Sequence, residues 1–174
     1  MPTSMPKKNH QFFYRFSFPH LSAIVWLVGL WFTGCPSQAQ NYELRKTNDS
    51  LYWLNDWRLP YPIYQFQTGD INGDGEIDAM VGVVKKTRFY QETGRRLFIF
   101  KQINGKVRPL WLGSKLGGIL EDFRYKDGKI RALESTTDSL YVVSDYKWSS
   151  FGMKFDHFII KGVDKETATK YFSQ

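Results

Sequence analysis

The chain has 174 residues and a formal net charge of +7, and 42% of its residues are hydrophobic. This length favours one domain, and the apolar content, with 17% aromatic residues, disfavours intrinsic disorder of the chain after its leader. The only cysteine is Cys35 and the only histidine after residue 20 is His157, so a disulfide framework and a zinc site of several Cys or His ligands are excluded.

The first 39 residues have the pattern of an export leader. Residues 1–20 carry three cations and no acid, and the apolar run LSAIVWLVGLWF follows at residues 21–32. A charged region before a short apolar core is typical of a bacterial signal peptide, and twelve residues are fewer than the roughly 20 that a membrane-spanning helix needs. We therefore expect a protein of the periplasm, the outer membrane or the extracellular space.

The leader can end in two ways. Cleavage after Ala39 would follow Ser37-Gln38-Ala39, which has small residues at both positions that an ordinary signal peptidase inspects, and would leave about 135 residues. Alternatively, Phe-Thr-Gly-Cys at residues 32–35 resembles the lipobox of bacterial lipoproteins, although that family prefers an aliphatic residue where this chain has Phe32. The resemblance implies lipidation of Cys35, and a lipid anchor would be the only contact with a membrane.

The pattern changes from mixed to β-like along the remaining chain. We interpret residues 40–59 as an arm or short helix, because Trp53 and Trp57 lie four residues apart, as on one helical face. Residues 60–163 alternate between apolar and polar positions, which predicts an all-β domain of about eight strands. The predicted strands are residues 63–66, 79–84, 97–102, 107–112, 123–126, 129–133, 140–146 and 154–160.

Two turn sequences and the end of the chain complete this prediction. Asn104-Gly105 and Asp127-Gly128 readily supply positive φ, so each predicts a hairpin between neighbouring antiparallel strands. Residues 164–174 are a C-terminal tail that could form a helical turn capped by Asp164.

One segment, TGDINGDGEIDAMVGVV, has the residue types of a calcium site in the pattern D-x-N-x-D-G-x-x-D. Hard oxygen ligands at alternate positions suit Ca²⁺, and Gly75 permits a sharp turn after the third of them. The backbone carbonyl of Glu76 would supply a further ligand. The open alternative is an acidic turn without a metal. The oxygen-bearing side chains are those of Asp70, Asn72, Asp74 and Asp78.

The loop does not fit an EF-hand. Its flanks are β-like, and Val81 stands at the twelfth position, where an EF-hand has its glutamate. Residues 66–84 instead resemble the FG-GAP or VCBS-type repeat, whose units form blades of calcium-loop β-propellers. The resemblance implies that the four oxygen-bearing residues are the metal ligands. Because the loop occurs once, a closed propeller is excluded, and we expect a sandwich or open blade-like sheets.

The residue types favour a non-enzymatic function. His157 is the one histidine available for a catalytic triad, and no spacing singles out a carboxylate pair among the acids of residues 121–138. We predict a calcium-stabilised β module of the cell envelope that binds a partner protein or glycan. The alternatives are a carbohydrate-binding module that stacks sugars on Trp111 and Trp148, and a carboxylate-dependent hydrolase. The acids considered are Glu121, Asp122, Glu134 and Asp138.

A basic stretch of the chain does not change this ranking of predicted functions. Residues 85–108 hold eight Lys and Arg residues and a single acid, Glu92. Such a stretch could bind phosphates or an acidic polymer, but charged residues ordinarily face solvent. Three cations lie in the leader, so the rest has 21 cations and 17 acids, a net charge of +4. Nucleic acid is disfavoured as a partner because an exported protein seldom meets it.

Overall fold

The fold is given by a computed structural model that describes residues 41–88, 90–113 and 116–174. The predictions for the leader, including cleavage after Ala39 and lipidation of Cys35, lie outside these residues. Within the described ranges, no helix is both long enough and apolar enough to cross a membrane.

The described part of the chain contains eleven strands and one short helix, which confirms the predicted all-β class. The strands are β1 (Leu44–Asn48), β2 (Leu51–Leu54), β3 (Trp57–Leu59), β4 (Ile63–Gly69), β5 (Asp78–Thr87), β6 (Tyr90–Ile103), β7 (Lys106–Leu112), β8 (Ile119–Lys126), β9 (Lys129–Ser135), β10 (Tyr141–Ser149) and β11 (Gly152–Val163), and the helix is α1 (Lys165–Ser173).

The strands form three antiparallel sheets, none of which closes into a barrel. We name them the N-terminal sheet, with the order β1-β2-β3, the central sheet, with the order β4-β5-β6-β7, and the C-terminal sheet, with the order β11-β10-β9-β8. Every pair of neighbours in a sheet is also consecutive in sequence, so each sheet is a meander. The eight predicted strands are confirmed as β4 to β11.

The two predicted hairpin turns are also confirmed. Asn104 and Gly105, between β6 and β7, have φ of 52° and 72°. Asp127 and Gly128, between β8 and β9, have φ of 50° and 73°. Two successive residues with positive φ match the right-handed twist of the flanking strands, and Asn-Gly and Asp-Gly adopt this geometry most readily.

The prediction of an arm or short helix at residues 40–59 was wrong, because residues 44–59 form the three strands of the N-terminal sheet. The four-residue spacing of Trp53 and Trp57 arises because a two-residue turn separates β2 from β3, so that Leu54 pairs with Trp57. Asn55 has a φ of 51° in that turn, and its Oδ1 accepts a hydrogen bond from the Glu43 N–H at 2.7 Å. A turn of this kind imitates helical spacing in a short window.

The central sheet is covered on both faces. Because alternate side chains of a strand point in opposite directions, neighbouring residues of its strands pack in different cores. On β5 and β6, Val81 and Phe98 pack in a core with the N-terminal sheet. Their neighbours Met80 and Ile99 pack in a second core with the C-terminal sheet. The sheets are thus stacked in three layers. The buried residues contributed by the outer layers are Leu54 and Leu59 on one side and Leu120, Phe123, Ile130, Ala132 and Tyr146 on the other.

Helix α1 covers the outer face of the C-terminal sheet. The side chain of Asp164 accepts a hydrogen bond from the Thr167 N–H at 2.9 Å, which confirms the predicted cap. Ala168 and Phe172 are buried against Leu133 and Val143 of β9 and β10. The predicted tail is therefore a packed element of nine residues.

Candidate metal centre

The predicted calcium loop connects two adjacent strands of the central sheet. Strand β4 ends at Gly69 and β5 begins at Asp78, and these two residues are paired across the ladder. Gly73 and Gly75 have φ of 76° and 84°, a region in which residues with a Cβ are strained. Glycine at these positions lets the intervening loop curl back so that the ladder can close.

The Asp70 carboxylate holds the first half of the loop. Its Oδ1 accepts hydrogen bonds from the N–H groups of Gly73 at 2.7 Å and Asp74 at 3.2 Å. Its Oδ2 accepts one from the Gly75 N–H at 2.9 Å. One side chain thus holds three consecutive backbone N–H groups, as expected of the first residue in a tight oxygen-rich loop.

Asn72 and Asp74 form the second half of the network. The Asp74 N–H donates to Asn72 Oδ1 at 3.0 Å, and Asn72 Nδ2 donates to Asp74 Oδ2 at 2.8 Å. The Glu76 N–H donates to Asp74 Oδ1 at 3.0 Å. Desolvation raises the pKa of Asp74. The hydrogen bonds from Asn72 and the Glu76 N–H, together with Lys101, whose Nζ lies 3.7 Å from Oδ2, outweigh this effect, so the net pKa is below the usual value.

Asp78 is the least compensated member of the loop. It is 1% exposed, and its Oδ2 accepts one hydrogen bond, from the Ile71 N–H at 3.2 Å. Its Oδ1 is buried and has no hydrogen-bond partner among the described residues. Burial first, and then the negative charges of Asp74 and Asp70, raise the pKa of Asp78 to about 6. The Oδ1 atom of Asp78 is therefore buried in the loop without a hydrogen-bond donor among the described residues.

Two residues outside the motif support the loop from other strands. Tyr125 of β8 donates from its Oη to the backbone carbonyl of Asp70 at 2.9 Å. Lys101 of β6 supplies the nearby cation. Both were missed at the sequence level, because contacts made 27 to 55 residues away in the chain leave no local pattern.

The side chains of the loop do not converge on one point. Among residues 41–88, 90–113 and 116–174, no three His, Cys, Asp or Glu side chains are gathered around a common point where they could share an ion. The carboxylates of Asp70 and Asp74 are instead turned toward N–H groups of their own loop. The donor chemistry fits Ca²⁺, since all the side chains offer hard oxygens and one buried carboxylate oxygen is unpartnered. Calcium binding by Asp70, Asn72, Asp74, Glu76 and Asp78 stays a prediction.

The tryptophans proposed for sugar stacking are packed at the edge of the core. Trp111 on β7 and Trp148 on β10 are half-buried beside the core between the central and C-terminal sheets. A Cβ at Gly152 would lie 2.5 Å from Trp111 Nε1, so the backbone at the start of β11 packs directly against that indole. Their stacking role stays a prediction.

The acids considered for hydrolysis have structural partners. Glu121 Oε1 accepts a hydrogen bond from Ser135 Oγ at 2.7 Å, and Asp122 Oδ1 accepts one from the Phe123 N–H at 2.8 Å. Asp138 accepts one from the Thr136 hydroxyl. The lone histidine of this region, His157, has its Nδ1 at 3.1 Å from Asp156 Oδ2.

Several cations of the basic stretch also have partners. Lys85 Nζ lies 4.0 Å from the ring centroid of Tyr61, and the Arg95 guanidinium lies 4.9 Å from that of Tyr64. Arg95 also donates to the backbone carbonyl of Glu121. These side chains pack over aromatic rings, as long cationic side chains commonly do.

Comparison with known proteins finds no matching family, no matching curated protein and no matching solved structure. The resemblance of residues 66–84 to the FG-GAP or VCBS-type repeat therefore stays a prediction that rests on the loop residues.

Proposed function

We propose that this chain is an exported, non-enzymatic β module that is stabilised by Ca²⁺ and binds a partner protein or polymer at the cell envelope. The observation that carries the calcium part is the buried Oδ1 of Asp78, which lacks a hydrogen-bond donor in a loop rich in oxygen ligands. Leaving such an oxygen desolvated and unpaired is unfavourable, and a bound cation would supply the missing interaction.

Calcium is the ion that suits this loop best. The candidate ligands are carboxylate, amide and backbone carbonyl oxygens, without nitrogen or sulfur, and Ca²⁺ accepts six to eight such ligands in flexible geometry. Extracellular calcium modules bind with dissociation constants of about 10⁻⁴ to 10⁻³ M, which suits an exported protein. The ion would join the end of β4 to the start of β5 and so act as a staple in the central sheet.

The absence of a catalytic role is supported by the residue types around the candidate sites. His157 lies against Asp156 on an exposed strand, and three of the acids weighed for hydrolysis accept structural hydrogen bonds. Export is supported by the leader pattern of residues 1–39.

Calcium titration by isothermal calorimetry tests this proposal. The protein is stripped with a chelator, and wild type is compared with Asp78→Asn, which keeps the size of the side chain and removes its charge. Asp138→Asn, in the hairpin between β9 and β10, is the matched control. We expect saturable heat with one ion per chain in wild type and in the control, and none in Asp78→Asn. No heat in wild type would refute the calcium part.

A further inference from the structure

A second candidate site lies in the C-terminal sheet, away from the calcium loop. Here a cavity of about 490 Å³ opens to solvent along β10 and β11. Small-molecule sites commonly enclose roughly 300 to 1,000 Å³, so this cavity is large enough for a small ligand. The lining residues used in the argument are Gly117, Gly118, Glu134, Tyr146, Phe155 and Phe158.

Glu134 is the polar centre of this cavity. It is 2% exposed, yet its Oε1 accepts a hydrogen bond from the Gly118 N–H at 2.7 Å and its Oε2 accepts one from Tyr146 Oη at 2.8 Å. Tyr146 in turn accepts a hydrogen bond from the Gly117 N–H at 2.8 Å. Burial and then the charge of Glu134 raise the pKa of Tyr146, so the phenol remains a neutral donor.

The two glycines allow these donors to approach. A Cβ at Gly117 would lie 2.8 Å from Tyr146 Oη, and one at Gly118 would lie 3.0 Å from the Cβ of Glu134. Side chains there would displace the backbone N–H groups from the carboxylate and the phenol. The chain therefore orients the carboxylate from two sides through groups that carry no charge.

The hydrogen-bond partners of the Glu134 carboxylate described above are both neutral. No Lys, Arg or His among the described residues forms an ion pair with this carboxylate. A buried carboxylate held only by neutral donors is costly in apolar surroundings, and a cation brought by a ligand would reduce that cost.

Two half-exposed phenylalanines form the mouth of the cavity. Phe155 and Phe158 are 42% and 49% exposed, with ring centroids 4.6 Å apart. Aromatic rings attract cations as well as apolar groups, and Lys161 Nζ already lies 5.2 Å from the Phe158 centroid. Large exposed rings beside a buried charge are the residue types that a ligand with both a cationic and an apolar part would contact.

We infer that this cavity binds a small organic cation, with an ammonium group against Glu134 and an apolar body against Phe155 and Phe158. This inference goes beyond the proposed function and does not depend on calcium binding, because none of the residues involved belongs to the central sheet.

Calorimetry with three probes of similar shape tests the inference. Phenethylammonium, phenethyl alcohol and hydrocinnamate share an aromatic body but carry a positive, no and a negative charge at pH 7. In calcium-containing buffer we expect saturable binding of phenethylammonium, at least about tenfold tighter than that of either other probe, a difference of about 1.4 kcal/mol. Absence of phenethylammonium binding, or equal or tighter binding of the alcohol or the anion, would overturn the inference.

Variants locate the binding. Glu134→Gln keeps the acceptor for Gly118 but removes the charge, and we expect it to weaken phenethylammonium binding at least about tenfold. Glu166→Gln, an exposed carboxylate in the first turn of α1, is the control and should bind as wild type does. An unchanged dissociation constant in a folded Glu134→Gln would overturn the inference.

A second variant decides the matter if Glu134→Gln does not fold. Phe155→Ala combined with Phe158→Ala alters only half-exposed side chains, and it should also weaken binding about tenfold. Phe151→Ala is the control, since Phe151 is 95% exposed and does not line the cavity. Equal binding by the double variant and the control would then overturn the inference.

Discussion

A substitution of Asp78 tests the calcium hypothesis at the scale of a single residue. Its folded-state pKa of about 6 lies above the usual value for aspartate, which means that the ionised side chain destabilises the metal-free fold at neutral pH. Removing the charge should therefore help the metal-free protein and harm the calcium-bound one.

We expect Asp78→Asn to leave the free energy of unfolding in chelator unchanged or to raise it by up to about 2 kcal/mol. Asparagine can still accept the hydrogen bond from the Ile71 N–H and no longer carries a buried charge. Urea unfolding in chelator and in calcium measures both states. A large loss of stability in chelator would contradict the account, because it would make the carboxylate favourable without an ion.

Gly69 provides a second test at the residue scale. A Cβ there would lie 2.3 Å from the ring of Tyr125, the residue whose Oη donates to the Asp70 carbonyl. Gly69→Ala should therefore displace the tyrosine, destabilise the protein by roughly 1 to 3 kcal/mol and weaken calcium binding. Gly69 is not among the positive-φ glycines, so the effect there is steric. Gly105→Ala is the converse control, because it adds positive-φ strain with open space around the new Cβ. Equal calcium affinity in Gly69→Ala and wild type would show that Tyr125 does not support the loop.

At the scale of elements, local patterns predicted most of the fold. Strands β4 to β11 could be predicted because alternation and turn sequences act over a few residues, as Asn104-Gly105 and Asp127-Gly128 illustrate. Residues 44–59 were misassigned because Trp53 and Trp57 are four residues apart, as on a helix, although they lie on adjacent strands joined by the tight turn at Asn55. The number of sheets could not be predicted, since which faces pack together depends on contacts between distant residues.

The two candidate sites also differ in whether their residues lie close together in the chain. The loop at residues 70–78 could be singled out because its oxygen-bearing residues lie close together in the chain, and calcium binding by it stays a prediction. The cavity around Glu134 could not be predicted, because Gly118, Tyr146 and Phe158 are far apart in the chain and an acid near a turn ordinarily lies in solvent. A buried Glu is recognised only once its neighbours are known.

Asp156 links three strands of the C-terminal sheet. Its carboxylate lies 2.8 Å from Lys129 Nζ on β9 and 2.9 Å from Lys147 Nζ on β10. Hydrogen bonds from Lys129, then Lys147 and His157, hold the pKa of Asp156 well below its usual value of 3.8. A depressed folded-state pKa contributes stability above the unfolded pKa, and this contribution is lost as the pH falls through the folded-state value.

We therefore expect Asp156→Asn to lower the melting temperature at pH 7, and the difference from wild type to shrink as the pH falls below 3.8. Melting curves from pH 7 to pH 2 measure this, with Glu43→Gln as the control because its ion pair is exposed and 3.9 Å long. A difference that stays constant across this range would show that the ion pairs do not act through the charge of Asp156.

Helix α1 is expected to stabilise the C-terminal sheet by packing. Phe172 is 5% exposed and lies in the core with Leu133 and Val143, so Phe172→Ala should lower the free energy of unfolding by about 3 to 5 kcal/mol. Lys170→Ala, on the exposed side of the same helix, should change it by less than about 0.5 kcal/mol. Denaturant unfolding measures both. A loss below about 1 kcal/mol in Phe172→Ala would mean that the helix is not part of the cooperative fold.

At the scale of the whole molecule, the position of the loop explains how one ion could stabilise three layers. The loop joins β4 to β5, and β5 lies in the sheet whose two faces are covered by the outer sheets. Fixing the end of that sheet would restrain the element that both cores share. With a dissociation constant of about 0.1 to 1 mM, about 10 mM calcium would add roughly 1.4 to 2.7 kcal/mol to the free energy of unfolding.

The most direct test of the central claim is the melting temperature of the purified protein in chelator and in about 10 mM calcium, for wild type and Asp74→Ala. We expect wild type to gain roughly 5 to 10 °C in calcium and Asp74→Ala to gain nothing, because Asp74 is a candidate ligand and its carboxylate orders the loop. Equal melting temperatures of wild type in chelator and in calcium would contradict the account and leave the loop as an acidic turn.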